Sequence, residues 1–567
     1  MVFPTMRTPA ASAALLLAGS LVLSGCTGAS DDGKDAKPAP SSTSADQGPR
    51  STAWTAASRS RVAAGGTLRL GADAVPNNFN PAHPAATNSE AGRLLAPTVG
   101  GAVRITADGG WKVDPDYAMS VEVADKDPLK IEVRLNRDAV WEDGTSITAK
   151  DMTAYWKALN GSNKDFEVAS TSGFEDISGV TQGKTKFDYT VTFSKPNAEW
   201  PRYIYPRLAA DVTSSPKLFN KGFRDKAISS NGPFVVSSID AKKGTVTEEP
   251  NPRWWGAKPK LAKIVWQAAD PGLQAKAYAA GDLDAVDLDA DTYDTGAQAK
   301  IGEVQRAAGV DWSQVTLNGG RGPLEDADVR RAVAHAINRA PIAKAAGAEF
   351  GAPPQPLGSV ILVPGQEGYE DSSDGLAYDP KKAADLLTKA GWVEGSDGVR
   401  TRKGKPLTLT MPVPADTPSN SDRARRIVAD LGKVGIDVEL EDVPAGKFFD
   451  SRVIPLDFDL VTFLRQASPF PLAGARAQFY PIDSTQNFTG IGRDKVGQRW
   501  DVATATLDDK LRLKRITNLD ELLTEDPTVV PLAVTPLAVG VRDGLVNYGA
   551  AQFEQPDWTI VGFSAKK

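Results

Sequence analysis

Residues 131–159 read IEVRLNRDAVWEDGTSITAKDMTAYWKAL, and the hydrophobic period of this stretch changes in its middle. Apolar and polar residues alternate in IEVRL, which is typical of a strand with one buried face. WEDG supplies a turn, and Thr148 is a good N-cap for the segment that follows. Apolar side chains then recur at helical spacing, at Met152, Tyr155, Trp156 and Leu159. The stretch therefore predicts a strand, a tight turn and an amphipathic helix.

The same alternation of strands and helices continues toward both ends of the chain. TLRLGA, LAKIVWQAA and LTLTMPVP have the composition of strands, and PGLQAKAYAAGDL predicts a helix that ends at Gly281. DADVRRAVAHAINRAPIAKAA, residues 326–346, predicts one continuous helix, and Pro380 begins another that Gly391 ends. Alternating elements of this kind predict α/β lobes with largely parallel sheets.

Composition and charge narrow the class of protein. Of the 567 residues 41% are hydrophobic and 24% are charged, which is typical of a soluble globular chain, and the length indicates two or more folded units. The net charge of -6 disfavours nucleic acid as a partner, because nucleic-acid binding requires a basic surface.

Motifs for catalysis are missing from the sequence. It contains no HExxH, P-loop or G-x-S-x-G motif, and it has two histidines, His83 in a turn and His335 on a predicted helix. We therefore predict a protein that is not an enzyme, with no catalytic residue, no metal site and no cofactor. Pairs of acidic residues are frequent, so a hydrolase with two carboxylates stays open as an alternative.

The chain has one cysteine, Cys26, directly after the apolar run ASAALLLAGSLVL. This run of about 13 residues is too short for a membrane span, which needs roughly 20, and it suits a secretory signal. Leu23-Ser24-Gly25-Cys26 resembles the bacterial lipobox, in which the cysteine is joined to lipid. We predict a lipoprotein signal peptide at 1–25 and a lipidated cysteine with a flexible tether at 26–63, rich in Ser, Asp and Pro. The alternative is an ordinary signal peptide with a chance cysteine.

Nearly the whole remaining chain resembles the family 5 extracytoplasmic solute-binding proteins of oligopeptide, dipeptide and nickel ABC importers. The matching segments include LRLGADAVPNNFNP, VRLNRDAVWEDGTSITAKDM, SSNGPFVV, EPNPRWWGAKPKLAKI, AAGDLDAVD, ADVRRAVAHAINRAPI, VGIDVELEDV and FDLVTF. Each segment alone is a weak signal, and their common order is a strong one.

The resemblance implies an α/β, type 2 periplasmic-binding-protein fold, in which two lobes close on a solute about a hinge. It places lobe I at 64–105 and 206–312, with an extra subdomain at 106–205. Lobe II is expected at 313–530, and the chain returns to lobe I at 531–567.

The same resemblance suggests the residues of the interlobe cleft. Thr87 and Asn88 are expected to face it from the first lobe, and Trp312 lies on the crossing strand, where its ring could stack on a ligand. Arg452 matches a position that contacts ligand in oligopeptide binders. The segment after FDLVTFL completes the predicted ligand-binding set, with Arg465, Gln466, Ala467 and Ser468.

This last segment departs from the pattern of the peptide-binding members. They carry an aromatic residue and, three positions later, an aspartate that pairs with the α-amine of the peptide. Arg465 and Ser468 stand at these two positions here. A serine offers no counter-charge, and arginine favours a carboxylate or a phosphate, so we expect a preference for anionic groups over free amines. The alternative for Arg465 is a surface ion pair, and the scarcity of histidine disfavours nickel.

These observations predict a lipid-anchored solute-binding protein on the outer face of the cell membrane. It would be a monomer that captures a peptide or a related small solute and delivers it to the subunits of an ABC permease. The alternative is a role like that of the LpqW lipoproteins, which share the fold and serve cell-envelope glycolipid assembly. The NNFNP opening and the stretch GGWKVDPDYAMSVEV resemble that branch.

Overall fold

The opening stretch folds around the buried carboxylate of Asp151. In the computed structural model, which describes residues 50–86 and 89–565, strand Leu129–Leu135 and helix Ala149–Leu159 flank the WEDG turn. Asp151 Oδ2 accepts both the backbone N–H and the hydroxyl of Thr148, each at 2.9 Å. Its Oδ1 accepts Nε1 of Trp141 at 3.2 Å, so the motif fixes the start of the helix against the turn.

Strands and helices alternate along the described chain as the sequence predicts. The strands are β1 (Thr67–Ala72), β2 (Val103–Ile105), β3 (Trp111–Val113), β4 (Ala118–Lys126), β5 (Leu129–Leu135), β6 (Ile177–Gln182), β7 (Asp188–Phe193), β8 (Phe234–Asp240), β9 (Thr245–Pro250), β10 (Lys263–Ala268), β11 (Ala285–Leu288), β12 (Gly302–Ala307), β13 (Asp311–Leu317), β14 (Val393–Glu394), β15 (Arg400–Arg402), β16 (Lys405–Pro406), β17 (Thr408–Pro414), β18 (Asp437–Val443), β19 (Leu460–Gln466), β20 (Val529–Val534), β21 (Leu537–Arg542), β22 (Leu545–Val546) and β23 (Gly562–Phe563).

The α-helices lie mainly between these strands. They are α1 (Ser89–Leu95), α2 (Ala149–Leu159), α3 (Ala210–Thr213), α4 (Pro216–Lys221), α5 (Pro271–Ala280), α6 (Tyr293–Ala297), α7 (Ala327–Ala336), α8 (Arg339–Ala348), α9 (Pro380–Lys389), α10 (Pro418–Gly432), α11 (Pro471–Ala475), α12 (Asp494–Thr504) and α13 (Asp509–Glu525). Within the described ranges, none of the helices has the length and apolarity that a bilayer span requires.

The prediction of one helix over residues 326–346 is wrong. The segment forms α7 and α8, and the chain is extended at Ile337 and Asn338 between them. Pro341 explains the break, because a proline ring inside a helix collides with the carbonyl four residues earlier, here that of Ile337.

The prediction of largely parallel sheets is also wrong. The first sheet has the order β12-β21-β11-β1-β10-β9-β8, and within it only the pairs of β1 with β10 and β11 are parallel among the described residues. In the second sheet β13 runs antiparallel to both β19 and β20, whereas β17 and β18 are parallel. The reason is topological. After each passage between the sheets, the chain enters the next sheet between two strands that run in the opposite direction, as β13 does between β19 and β20 and β21 does between β12 and β11.

The chain crosses between the two sheets twice, and the crossings lie against each other. The first crossing joins β12 to β13 and the second joins β20 to β21. The backbone N–H of Thr535 donates to the carbonyl of Asp311 at 2.8 Å. At Gly309 an added Cβ would lie 1.7 Å from the Thr535 carbonyl oxygen, so this approach requires glycine.

The predicted tether at 26–63 is wrong for its described part, because Thr52 bridges Ala551 and Val62 bridges Ser564, which makes this part a segment of the fold.

Sheet membership suggests where the lobes begin and end. β4, β5, β6 and β7 form a separate antiparallel sheet, and this supports our proposal of an extra subdomain at 106–205. Because β20 pairs with β13 up to Val534, we propose that the return to the first lobe begins after Val534 and not at 531. One hydrophobic core lies between the first sheet and the subdomain, and another packs α7, α9 and α10 on the second sheet.

A buried carboxyl in the second lobe gives a prediction on stability. Asp520 is 2% exposed, its Oδ1 accepts the N–H of Val360 at 2.9 Å, and its Oδ2 accepts the hydroxyl of Ser359. Burial raises the pKa of Asp520 to about 7. Because an unfolded chain has a lower pKa of about 3.9 at this residue, the folded state binds the extra proton, and stability falls as pH rises between these values.

We therefore expect Asp520→Asn to stabilise the protein at pH 8, by on the order of 1.4 kcal/mol per unit of pKa shift. The gain should nearly vanish at about pH 3, below both pKa values, where the wild-type carboxyl is largely protonated in both states. Denaturant unfolding at the two pH values measures this. A gain of the same size at both values would contradict the assignment.

Candidate functional site

The cleft end of the second sheet is defined by the direction of its strands. β19 and β20 run in the same direction on either side of antiparallel β13, and in α/β sheets ligands bind beyond the carboxyl ends of such strands. β19 ends at Gln466, and antiparallel β13 begins at Asp311, which pairs with Gln466. The start of β13 and the predicted segment Arg465–Ser468 therefore share this edge of the sheet, next to the crossings.

Arg465 is buried at this edge without a counter-charge. It is 9% exposed, and within residues 50–86 and 89–565 its Nε and Nη2 atoms have no hydrogen-bond partner. Its guanidinium carbon lies 5.2 Å from the centre of the Phe463 ring and 5.5 Å from that of Phe488. Burial lowers the pKa of Arg465 to about 9. The surface ion pair that the sequence left open is therefore not what the described residues form.

The three residues after Arg465 are held by backbone and amide hydrogen bonds. Gln466 Nε2 donates to Asp311 Oδ1 at 3.3 Å, and the N–H of Ala467 donates to the carbonyl of Val310 at 2.8 Å. The carbonyl of Ser468 accepts Nε2 of Gln366 at 2.9 Å, and its hydroxyl oxygen accepts the N–H of Phe470 at 3.1 Å. The segment is fixed directly to the first crossing.

Two other predicted residues have structural environments. Trp312 is 4% exposed and packs in a hydrophobic core with Leu472 and Val534, so its ring is covered by protein and does not offer a stacking surface. Arg452 forms ion pairs with Glu441, at 3.0 Å, and with Asp457. These acids neutralise its charge, in contrast to Arg465. Thr87 and Asn88, like Cys26, lie outside the described residues.

The histidines occupy structural positions. His335 is buried, and its Nδ1 lies 2.7 Å from the carbonyl oxygen of Ala377. His83 Nε2 lies 3.1 Å from Glu167 Oε2. Each ring is thus held by its own local partner.

Three further charged residues, Arg423, Arg93 and Asp287, were not predicted from the sequence. Arg423 on α10 donates from Nε to Thr462 Oγ1 at 2.7 Å, and burial lowers the pKa of Arg423 to about 10. In the first lobe Arg93 pairs with Asp287 at 2.9 Å, beside the end of β11. Asp287 could have been found from its place near the end of a predicted strand, whereas nothing in the local pattern distinguishes Arg423.

Asp311 is the one acidic residue of β13. Burial raises the pKa of Asp311, and the charge of Asp287 adds to this effect. The cleft edge therefore combines a half-buried acid on β13 with a buried cation on β19. They lie on opposite faces of the sheet, because Arg465 pairs with Trp312 and not with Asp311.

Comparison with known proteins agrees with this architecture. The chain matches the model of the bacterial extracellular solute-binding proteins, family 5 Middle, over residues 112–487. It is 34% identical over 504 residues to the oligopeptide-binding protein OppA of Mycobacterium tuberculosis, which covers 88% of this chain and 85% of that protein. The chain belongs to family 5 of the bacterial extracellular solute-binding proteins.

Solved structures show the same fold. The periplasmic EDTA-binding protein EppA matches with a TM-score of 0.82 at 24% identity and covers 92% of this chain and 100% of its own. Lactococcal OppA, complexed with an endogenous peptide in the closed conformation, has a TM-score of 0.70 at 19% identity, with 88% and 100% covered. The fold is that of the periplasmic binding proteins, as the sequence predicts.

The unpaired charge of Arg465 predicts how substitutions change the stability of the solute-free protein. Arg465→Met keeps an unbranched apolar stem between the phenylalanine rings and removes the buried charge, so we expect it to stabilise the free protein by roughly 1–4 kcal/mol. Arg452→Met is the matched control: it takes the cation from Glu441, leaves Asp457 with Arg321 alone, and should give no gain. Denaturant unfolding of both variants measures the difference. Equal destabilisation by the two changes would contradict the assignment of Arg465 as an uncompensated charge.

Proposed function

We propose that the protein is the solute-binding component of an ABC importer and captures a peptide, or a related small solute, through a carboxylate. The observation that carries the proposal is the buried Arg465 at the end of β19, whose Nε and Nη2 have no partner in the described chain. An unpaired buried charge costs several kcal/mol, and a carboxylate from the solute removes that cost. The OppA relatives, named for oligopeptide binding, support a peptide as the solute class.

The position of Ser468 supports the carboxyl end of a peptide over its amine. A serine hydroxyl is a neutral partner, and its oxygen already accepts the N–H of Phe470. A free ammonium at this place would meet Arg465 three residues away in sequence and no aspartate at position 468. A planar guanidinium pairs well with a carboxylate, by two parallel hydrogen bonds.

Binding needs no chemical step in this proposal. The solute enters the open cleft, closure about the two crossings buries it, and the closed form docks on the permease. Solute that binds the closed form stabilises it by mass action. We propose that the protein is non-catalytic and works as a monomer. We also propose that lipid on Cys26 holds it on the outer face of the cell membrane.

A matched set of three solutes tests the carboxylate. The chain from residue 27 is heated with trialanine, N-acetyl-trialanine or trialanine amide, with sugars and phosphorylated headgroups as further solutes. Trialanine and its acetylated form should raise the melting temperature by a few degrees at about 100 times Kd, a contribution of about 2.7 kcal/mol. The amide should have no effect, because it lacks the anionic group.

Two variants complete this test. Arg465→Gln should abolish the shifts, and Arg452→Gln should keep them because its charge is already paired. If Arg465→Gln leaves every shift unchanged, the carboxylate proposal is wrong. If no solute shifts wild type, the importer role loses its support, and the LpqW-like role is to be tested with protein and lipid partners.

A further inference from the structure

Glu199 of the proposed extra subdomain reaches the second lobe. Its Oε1 accepts the backbone N–H of Leu472 at 2.7 Å, and its Oε2 accepts that of Ala473 at 2.7 Å. These amides belong to the first turn of α11, where N–H groups have no partner within the helix. Glu199 is 6% exposed, so the contact is closed to water.

Contacts within the subdomain fix the position of Glu199. The N–H of Glu199 donates to Asn197 Oδ1 at 2.9 Å, and the next residue, Trp200, packs edge-on against Trp111 with ring centres 5.1 Å apart. A second bond crosses beside it, from the N–H of Ala198 to the carbonyl of Thr504 at 2.7 Å. The contact therefore joins a pre-organised loop to two helices of the second lobe.

The two amides lie close in sequence to the solute-reading segment. Ser468 and α11 are separated by two residues, and the Ser468 hydroxyl oxygen accepts the N–H of Phe470 within this link. On the far side, Trp500 Nε1 donates to the carbonyl of Leu472 at 3.0 Å. We expect a displacement of Arg465–Ser468 to shift the two amides that donate to Glu199.

Favourable and unfavourable contributions to the free energy of this contact oppose each other. Burial raises the pKa of Glu199, so desolvation opposes the contact, and Arg202 and Arg512 act on it only through their charge. Two charge-assisted hydrogen bonds favour it. When the lobes separate, water solvates both the carboxylate and the amides, so neither state leaves a buried polar group unsatisfied. A solute can shift such an equilibrium by its difference in affinity for the two states.

We propose that Glu199 is a latch and a positioning residue, through which the extra subdomain holds the second lobe closed and fixes the solute-reading segment. The effect on solute affinity rests on the proposed function, whereas the effect on closure does not. The latch stabilises the closed form even without solute, because its bonds use only protein groups.

The distance between the subdomain and the second lobe tests the latch directly. Chains from residue 27 with Lys184→Cys and Gln498→Cys carry two spin labels at exposed sites and no other cysteine. In the free protein with wild-type Glu199, pulsed electron–electron double resonance should resolve a short distance for the closed form and a long distance for the open form. Glu199→Gln should deplete the short one, and Glu175→Gln should not, because Glu175 is an exposed acid of the same subdomain bonded to Thr171.

A partner variant separates a latch from a general loss of structure. Ala473→Pro removes one of the two amide donors, and proline is tolerated in the first turn of a helix. Alone it should deplete the short distance, and it should add little to Glu199→Gln because both remove the same interaction. Both variants should keep wild-type circular dichroism.

The affinity for trialanine gives the second readout. We expect Glu199→Gln to weaken it about tenfold, mainly through faster release. The latch proposal is wrong if the free wild type shows only the long distance between the labels. It is also wrong if Glu199→Gln leaves the population with the short distance unchanged. Failure of wild type to bind trialanine would count against the proposed function alone, since the distances in the free protein still decide the latch.

Discussion

The approach of the two crossing segments at Gly309 and Thr535 is the constraint on which the rest of the structure depends. Only glycine fits there, and the bond from the Thr535 N–H to the Asp311 carbonyl joins the segments at the same place. Two sheets joined by a pair of adjacent crossings can rotate about the crossings more readily than they can slide past each other. The same line brings the start of β13 beside the end of β19, and thereby fixes the edge of the cleft.

The position of Arg465 at this edge would link the charge of a bound solute to closure of the lobes. Arg465 and Gln466 are anchored to the first crossing through β13, and the segment continues within a few residues to α11, which Glu199 holds from the subdomain. An anion that pairs with Arg465 would therefore act on a segment tied at both ends. This arrangement gives a physical route from a single ion pair to the separation of the lobes, without a chemical step.

The sequence was sufficient for most elements because their signals are local. The strand, turn and helix of residues 131–159 follow from a change of period and one capping residue, and the family resemblance pointed to Arg465. The helix break before α8 was missed although Pro341 signals it locally. The orientation of β13 and β21 was missed because a return strand looks the same as any other strand.

Other features of the site depend on residues distant in sequence. Glu199 meets its amides more than 270 positions later. Burial of Trp312 follows from how α11 and α12 pack, which no window of sequence contains. The pattern of apolar and polar residues in α10 does not indicate that Arg423 is buried.

The most direct test of the account is a crystal structure with trialanine in the cleft. We expect a peptide carboxylate oxygen about 2.7–2.9 Å from a guanidinium nitrogen of Arg465, the usual length of such a charge-assisted bond. A peptide whose amine lies at Ser468, with Arg465 still unpaired beneath Phe463 and Phe488, would contradict it.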